Sequence, residues 1–154
     1  MGTLIKGILI LAGLMFFVPF HGAWAVEGES ELQAVRSFLE NFSKDRNHPA
    51  DWLSLRRAID RLGDLRIGEC EDSMARILEL TGDLRLKEDS PLPGVMSPMD
   101  MLKAGALLAL KKIGATGRRP EVEKIYHETS NRILKNMAAE TLEAFGVRVE
   151  KEQK

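Results

Sequence analysis

Ile133-Leu134-Lys135-Asn136-Met137-Ala138-Ala139-Glu140-Thr141-Leu142-Glu143-Ala144-Phe145-Gly146 decides the fold. Leu134, Ala138, Thr141, Leu142 and Phe145 recur at steps of three and four, which is one face of an α-helix. Gly146 follows the last of them, where a left-handed C-cap needs a residue without a Cβ. The same pattern returns in Leu102–Gly114 and, more weakly, in Leu55–Gly63. Counted back from the glycine, position −1 reads Leu62, Ile113, Phe145, and position −4 reads Ile59, Leu110, Leu142. Position −5 reads Ala58, Ala109, Thr141, and position −8 reads Leu55, Ala106, Ala138. Small residues at −5 and −8 let a neighbouring helix approach, while −1 and −4 fill the space between layers. The last two glycines are 32 residues apart, a natural period for a two-helix repeat. The first two are 51 apart, which is that period plus an insertion of 19.

Between these helices lie three more. The first carries Leu32, Val35, Phe38, Leu39 and Phe42, with Ser30 as its expected cap. The third carries Met74, Ile77, Leu78 and Thr81 up to Gly82; the short fifth opens on Pro120 and aligns Val122, Ile125 and Tyr126. No stretch has a convincing strand pattern. The expected fold class is therefore all-α: a short right-handed α-solenoid of about three helix pairs, over residues 26–146. A plain antiparallel bundle is the competing architecture, because three repeats are near the minimum for a stacked core.

Ile133–Gly146 and Leu102–Gly114 resemble the second helix of a HEAT-like repeat, of the short type also found in phycobilisome lyases. Lys103 and Lys135 stand where that pattern usually carries Arg, and Trp52 stands there in the first unit. The resemblance spans roughly Glu29–Gly146. It implies a scaffold or binding role and does not imply chromophore-lyase activity.

The chain opens with a segment of another kind. Lys6 ends a short n-region, Gly7–Phe20 is apolar, and Ala23-Trp24-Ala25 supplies the small-x-small pattern of a signal-peptidase site. The 14-residue apolar run is short for a bilayer core, which takes roughly 20 residues. The expected signal peptide is 1–25, leaving an exported, periplasmic or extracellular chain of 129 residues. An uncleaved anchor spanning Leu4–Val26 is the alternative, and the membrane is a partner only in that case. Residues 147–154 read as a charged C-terminal tail.

Composition narrows the functional classes. With 22 Lys+Arg against 23 Asp+Glu, no strongly basic footprint for nucleic acid exists. A single cysteine excludes an internal disulfide framework and multi-cysteine metal sites. His127-Glu128-Thr129-Ser130-Asn131 falls one residue short of a zinc-protease pattern, since Asn131 replaces the second His. No Gly-x-Ser-x-Gly occurs, and Gly63, Gly68 and Gly82 are too dispersed to cradle a phosphate. Arg56, Arg57, Arg61 and Arg66 are interleaved with Asp60 and Asp64, as on a solvated face. Asn41-Phe42-Ser43 is formally a glycosylation acceptor. No catalytic motif, cofactor or metal is expected.

The expected function is a non-enzymatic protein–protein interaction or scaffold module. The insertion at residues 83–98, Asp83–Pro98, is long enough to be a binding loop or a lid. Its apolar Leu92 and Val95 are expected to approach Leu107 and Leu108, the apolar centre of a surface rimmed by Arg57, Arg61, Lys111 and Lys112. That surface is expected to run from positive at the first two repeats to negative at the third. The alternative is an envelope metal- or redox-handling protein. It would use the soft thioethers of Met96, Met99 and Met101 with Cys70, whose place near a helix start would lower its pKa.

Overall fold

The computed structural model describes residues 27–87 and 95–149. Among them are six α-helices: α1 (Glu29–Lys44), α2 (Trp52–Asp64), α3 (Glu71–Glu79), α4 (Pro98–Ile113), α5 (Arg119–Glu128) and α6 (Arg132–Ala144). No strand occurs among the described residues. The one β-type contact is an isolated parallel bridge between Ala50 and Leu86. The expected signal peptide and Leu92 lie outside the described residues.

The helices pack as three successive pairs, α1 with α2, α3 with α4, and α5 with α6. Between pairs, α2 packs on α4 and α4 on α6, while α3 touches both α1 and α5. Two layers result, one of α1, α3 and α5, the other of α2, α4 and α6. Within the second layer the helices run in the same direction. Near their starts, Arg56 Nη1 of α2 donates to the Met101 carbonyl of α4 at 2.8 Å, and Asn131 Nδ2, capping α6, donates to Asp100 of α4 at 3.0 Å. Near their ends, Lys112 of α4 pairs with Asp64 of α2, and Lys111 of α4 pairs with Glu140 of α6 at 3.2 Å.

Sequence chemistry explains where these helices begin. Asp51 caps α2 by accepting the Ser54 N–H at 3.0 Å. Ser97 caps α4 by accepting the Asp100 N–H, with Pro98 in its first turn. The Asn131 side-chain oxygen, Oδ1, accepts the Ile133 and Leu134 N–H groups at the start of α6. Such caps satisfy orphan donors at about 1 kcal/mol each. The cap of α1 is Gly28, at φ 94°, and not Ser30, whose hydroxyl instead bonds Glu31.

The ends correct the repeat register. All three helices of the second layer finish in a Schellman motif. The 6→1 bonds run from Ile67 to Leu62, from Ala115 to Leu110 and from Val147 to Leu142, at 3.1, 3.1 and 2.9 Å. The left-handed residues are Arg66, Gly114 and Gly146, at φ 53°, 78° and 83°. Gly63 is therefore not a C-cap; it lies inside α2. Aligned on the true caps, α2 slides by three residues. The columns become Leu62, Leu110, Leu142 and Ala58, Ala106, Ala138, all buried.

Between the layers, Val35, Leu39, Ile59, Leu62, Met74, Ile77, Leu102, Leu110, Val122, Leu134 and Leu142 form a core with almost no exposure. Leu84 is buried as well. Ala50 N donates to the Arg85 carbonyl at 2.8 Å, so the first part of the insertion is tied down. Val147 and Val149 pack against the core.

Candidate functional site

The layer of α2, α4 and α6 turns one side to the core and one side to solvent. The solvent side is built around α4, the middle helix. Ala104, Gly105 and Ala109 of α4 are buried, Gly105 and Ala109 against α2, so the two helices lie close together. Leu108 is half-buried, and Met101, two turns earlier on the same stripe, is partly covered. Arg56 reaches across from α2 over Gly105, its guanidinium held by Asp60 at 2.9 Å and by the Met101 carbonyl.

Of the residues read as partner-binding, Leu108, Lys111 and Lys112 come together on this side. Leu107 does not: it is fully buried, and its carbonyl lies 3.4 Å from the Thr141 hydroxyl of α6. The reason is that α4 is flanked on both sides, so its Leu107 edge meets α6. Arg61 turns to the start of α1, pairing with Glu31 at 3.0 Å and Glu27 at 3.5 Å. Arg57 is exposed and makes no ion pair among the described residues. Val95 is 91% exposed, but it precedes α4, and about 15 Å of helix separates Pro98 from Leu108.

The charge gradient expected along this surface is also corrected. Each lysine beside Leu108 is matched by a carboxylate on the adjacent helix, Lys112 by Asp64 and Lys111 by Glu140. These exposed pairs add little stability. Their effect is to leave a nearly neutral rim around an apolar centre. Sequence reasoning missed Ile133, which is 45% exposed in the first turn of α6. Its position one residue off the stripe of Leu134, Ala138 and Leu142 was the available signal.

The groups considered for metal or redox chemistry are placed differently. Met96 and Met99 are buried in the core cluster. Cys70 is fully buried, and burial, followed by the Glu71 carboxylate, pushes its thiol up to about 11. The expectation of a lowered thiol pKa is thus reversed, and a thiolate is scarce at neutral pH. His127 lies in the last turn of α5, edge-on against Tyr126, and Asn131 serves as the cap of α6. Lys103, half-buried on α4, has its pKa lowered, first by burial, with Asp100 opposing. Among the described residues, no three His, Cys, Asp or Glu side chains gather as a metal site would require. No described helix is long and apolar enough to cross a membrane.

Compared with known protein families, with characterised proteins and with solved structures, the chain matches none.

Proposed function

We propose that this chain is an exported, non-enzymatic binding module, built as a short right-handed α-solenoid of HEAT-like pairs. Its partner is another protein, held on the solvent side of α2, α4 and α6. The reading invokes no cofactor and no nucleic acid. Its solenoid part is supported by the common direction of those three helices, because adjacent helices of an up-and-down bundle run antiparallel. The repeated Leu and Ala columns favour the same reading.

The observation that carries the binding role is Leu108. An apolar side chain stays half-open at the centre of the layer, between ion pairs that keep its rim polar. An apolar centre with a polar rim is the usual anatomy of a protein interface. Export rests on the Ala23-x-Ala25 pattern.

Two measurements test this. Intact mass of the membrane-free protein is expected to begin at Val26; recovery of full-length chain only in membranes would assign an anchor. Cross-linked capture from the native compartment is expected to yield a partner with the wild type and lose it with Leu108→Glu. Equal capture by both proteins would remove the site.

A further inference from the structure

We propose that the partner presents to this domain a short apolar segment with carboxylates at both ends, laid across α2, α4 and α6 along a row of Leu53, Met101 and Ile133. The inference rests on the binding reading above and deepens it, by naming the chemistry of what is bound and its path over the layer.

The row follows from the alignment of the three Schellman motifs. Leu53, Met101 and Ile133 each stand nine residues before the leucine that accepts the 6→1 bond, Leu62, Leu110 and Leu142. Nine residues are about two and a half turns, so a side chain there points opposite to the buried leucine. Leu53 and Met101 are half-buried, and Ile133 is 45% exposed. Two contacts beside the row hold the helices in step: Arg56 Nη1 on the Met101 carbonyl, and Asn131 Nδ2 on Asp100. With helix axes 8–10 Å apart, three helices give an apolar row roughly 20 Å long. Val95, 91% exposed just ahead of α4, stands at the same edge of the layer. Leu108 lies two turns further along α4, on the same stripe as Met101.

The charges around the row select the occupant. Every carboxylate on these outer stripes is already matched: Asp60 by Arg56 at 2.9 Å, Asp64 by Lys112, and Glu140 by Lys111 at 3.2 Å. At the edge itself, Asp51 caps α2 and Asp100 accepts from Asn131. Glu128 closes α5, in the other layer. Two exposed arginines make no ion pair among the described residues, Arg57 and Arg132. They mark opposite ends of the row: Arg57 is one turn after Leu53 on α2, and Arg132 immediately precedes Ile133 on α6. The first turns of three parallel helices lie at this edge, and their dipoles carry the same positive sign. An apolar row ending in free guanidinium groups fits a segment whose apolar side chains are flanked by carboxylates, which arginine binds through paired hydrogen bonds.

The probe is a displayed library of random peptides of about twelve residues, enough to cross the row even as a helix rising 1.5 Å per residue. The bait is the purified natural chain. It is expected to select peptides with an apolar centre and Asp or Glu toward both ends. Arg57→Glu with Arg132→Glu alters two exposed residues, so the fold is expected to persist, as circular dichroism will check. This variant is expected to bind the selected peptides at least about tenfold more weakly, and to select basic ends in their place. Ile133→Glu is expected to weaken binding similarly, through the apolar contact. A wild type that selects no peptide, or peptides without acidic ends, overturns the proposal, as does binding unchanged in the arginine variant. Sedimentation with phosphatidylglycerol vesicles in place of peptide selection assigns the row to a lipid surface and overturns it. A dimer that Ile133→Glu dissociates assigns it to a second copy, with the same consequence. Capture from the native compartment separates this proposal from the broader reading. A partner lost with Leu108→Glu but kept by the double arginine variant overturns the row and leaves the binding module standing.

Discussion

Gly63 of α2 rests directly on the backbone of Ala109 in α4. A Cβ placed at residue 63 would lie 2.8 Å from the Ala109 Cα and 3.1 Å from its Cβ. Two helices approach this closely only where one of them has no side chain. The reciprocal notch is Gly105 on α4, where a Cβ would meet Ile59 of α2 at 3.1 Å. The α2–α4 contact, the most extensive between helices, is thus fixed from both sides by glycine.

Gly63→Ala is therefore expected to destabilise the protein, although alanine is the better helix former by about 1 kcal/mol. Relieving a clash with backbone requires the helices to part, and overpacking of this kind costs roughly 1–3 kcal/mol. Urea denaturation is the check. Gly117→Ala, where no heavy atom lies within 4 Å of the added Cβ, is the control and is expected to be nearly neutral. An unchanged midpoint for Gly63→Ala would mean that α2 and α4 are farther apart than described.

Arg66→Gly is expected to stabilise. Arg66 holds φ 53° at the position occupied by Gly114 and Gly146 in the other two motifs. A side chain in the left-handed region costs roughly 1 kcal/mol, which glycine avoids in part by trading backbone entropy. A gain of about 0.5 kcal/mol in the unfolding free energy is the expected outcome. A loss would show that the Arg66 side chain makes contacts that outweigh its backbone strain.

These two residues also explain how far the sequence could be read. The helices were legible because Leu134, Ala138 and Leu142 and their counterparts keep a helical period. The end of α2 was not, because Gly63 is a packing glycine and Arg66 has no preference for the cap it forms. The register of the first unit was therefore three residues out, and with it the row of cations that seemed to line one face. Leu107 was misplaced for a related reason. The unbroken run from Ala104 to Leu110 signals a helix buried on both flanks, which a single amphipathic stripe does not describe. Ion pairing between helices, such as Lys112 with Asp64, depends on that register and was out of reach.

Cys70 makes stability fall at alkaline pH. Its thiol titrates at about 11 in the fold against an ordinary 9.0. Above 9.0 the unfolded chain releases a proton that the folded chain keeps, so unfolding is favoured as pH rises. The loss develops between those values and totals roughly 3 kcal/mol. Equilibrium unfolding of wild type and Cys70→Ala across this range isolates the effect, since the variant lacks that slope whatever its absolute stability. At pH 8 a disulfide-exchange reagent is expected to label Cys70 only as fast as the domain opens.

The adjacent pair Leu107 and Leu108 separates packing from binding most sharply. Leu107 is fully enclosed at the α4–α6 contact, so Leu107→Ala leaves a cavity and is expected to cost 2–5 kcal/mol, roughly. Leu108 already faces water in part, and Leu108→Ala removes less buried area, so about 1 kcal/mol or less is expected. Denaturation curves of the two variants test the orientation of α4. Partner capture then runs in the opposite order once stability is matched by lowering the temperature for Leu107→Ala. Leu108→Ala is expected to lose the partner while folded, and Leu107→Ala to retain it. If both variants unfold alike, α4 does not turn Leu107 inward and Leu108 toward solvent. If Leu108→Ala keeps its partner at full strength, the half-open leucine is ordinary surface and the binding face lies elsewhere on the stack.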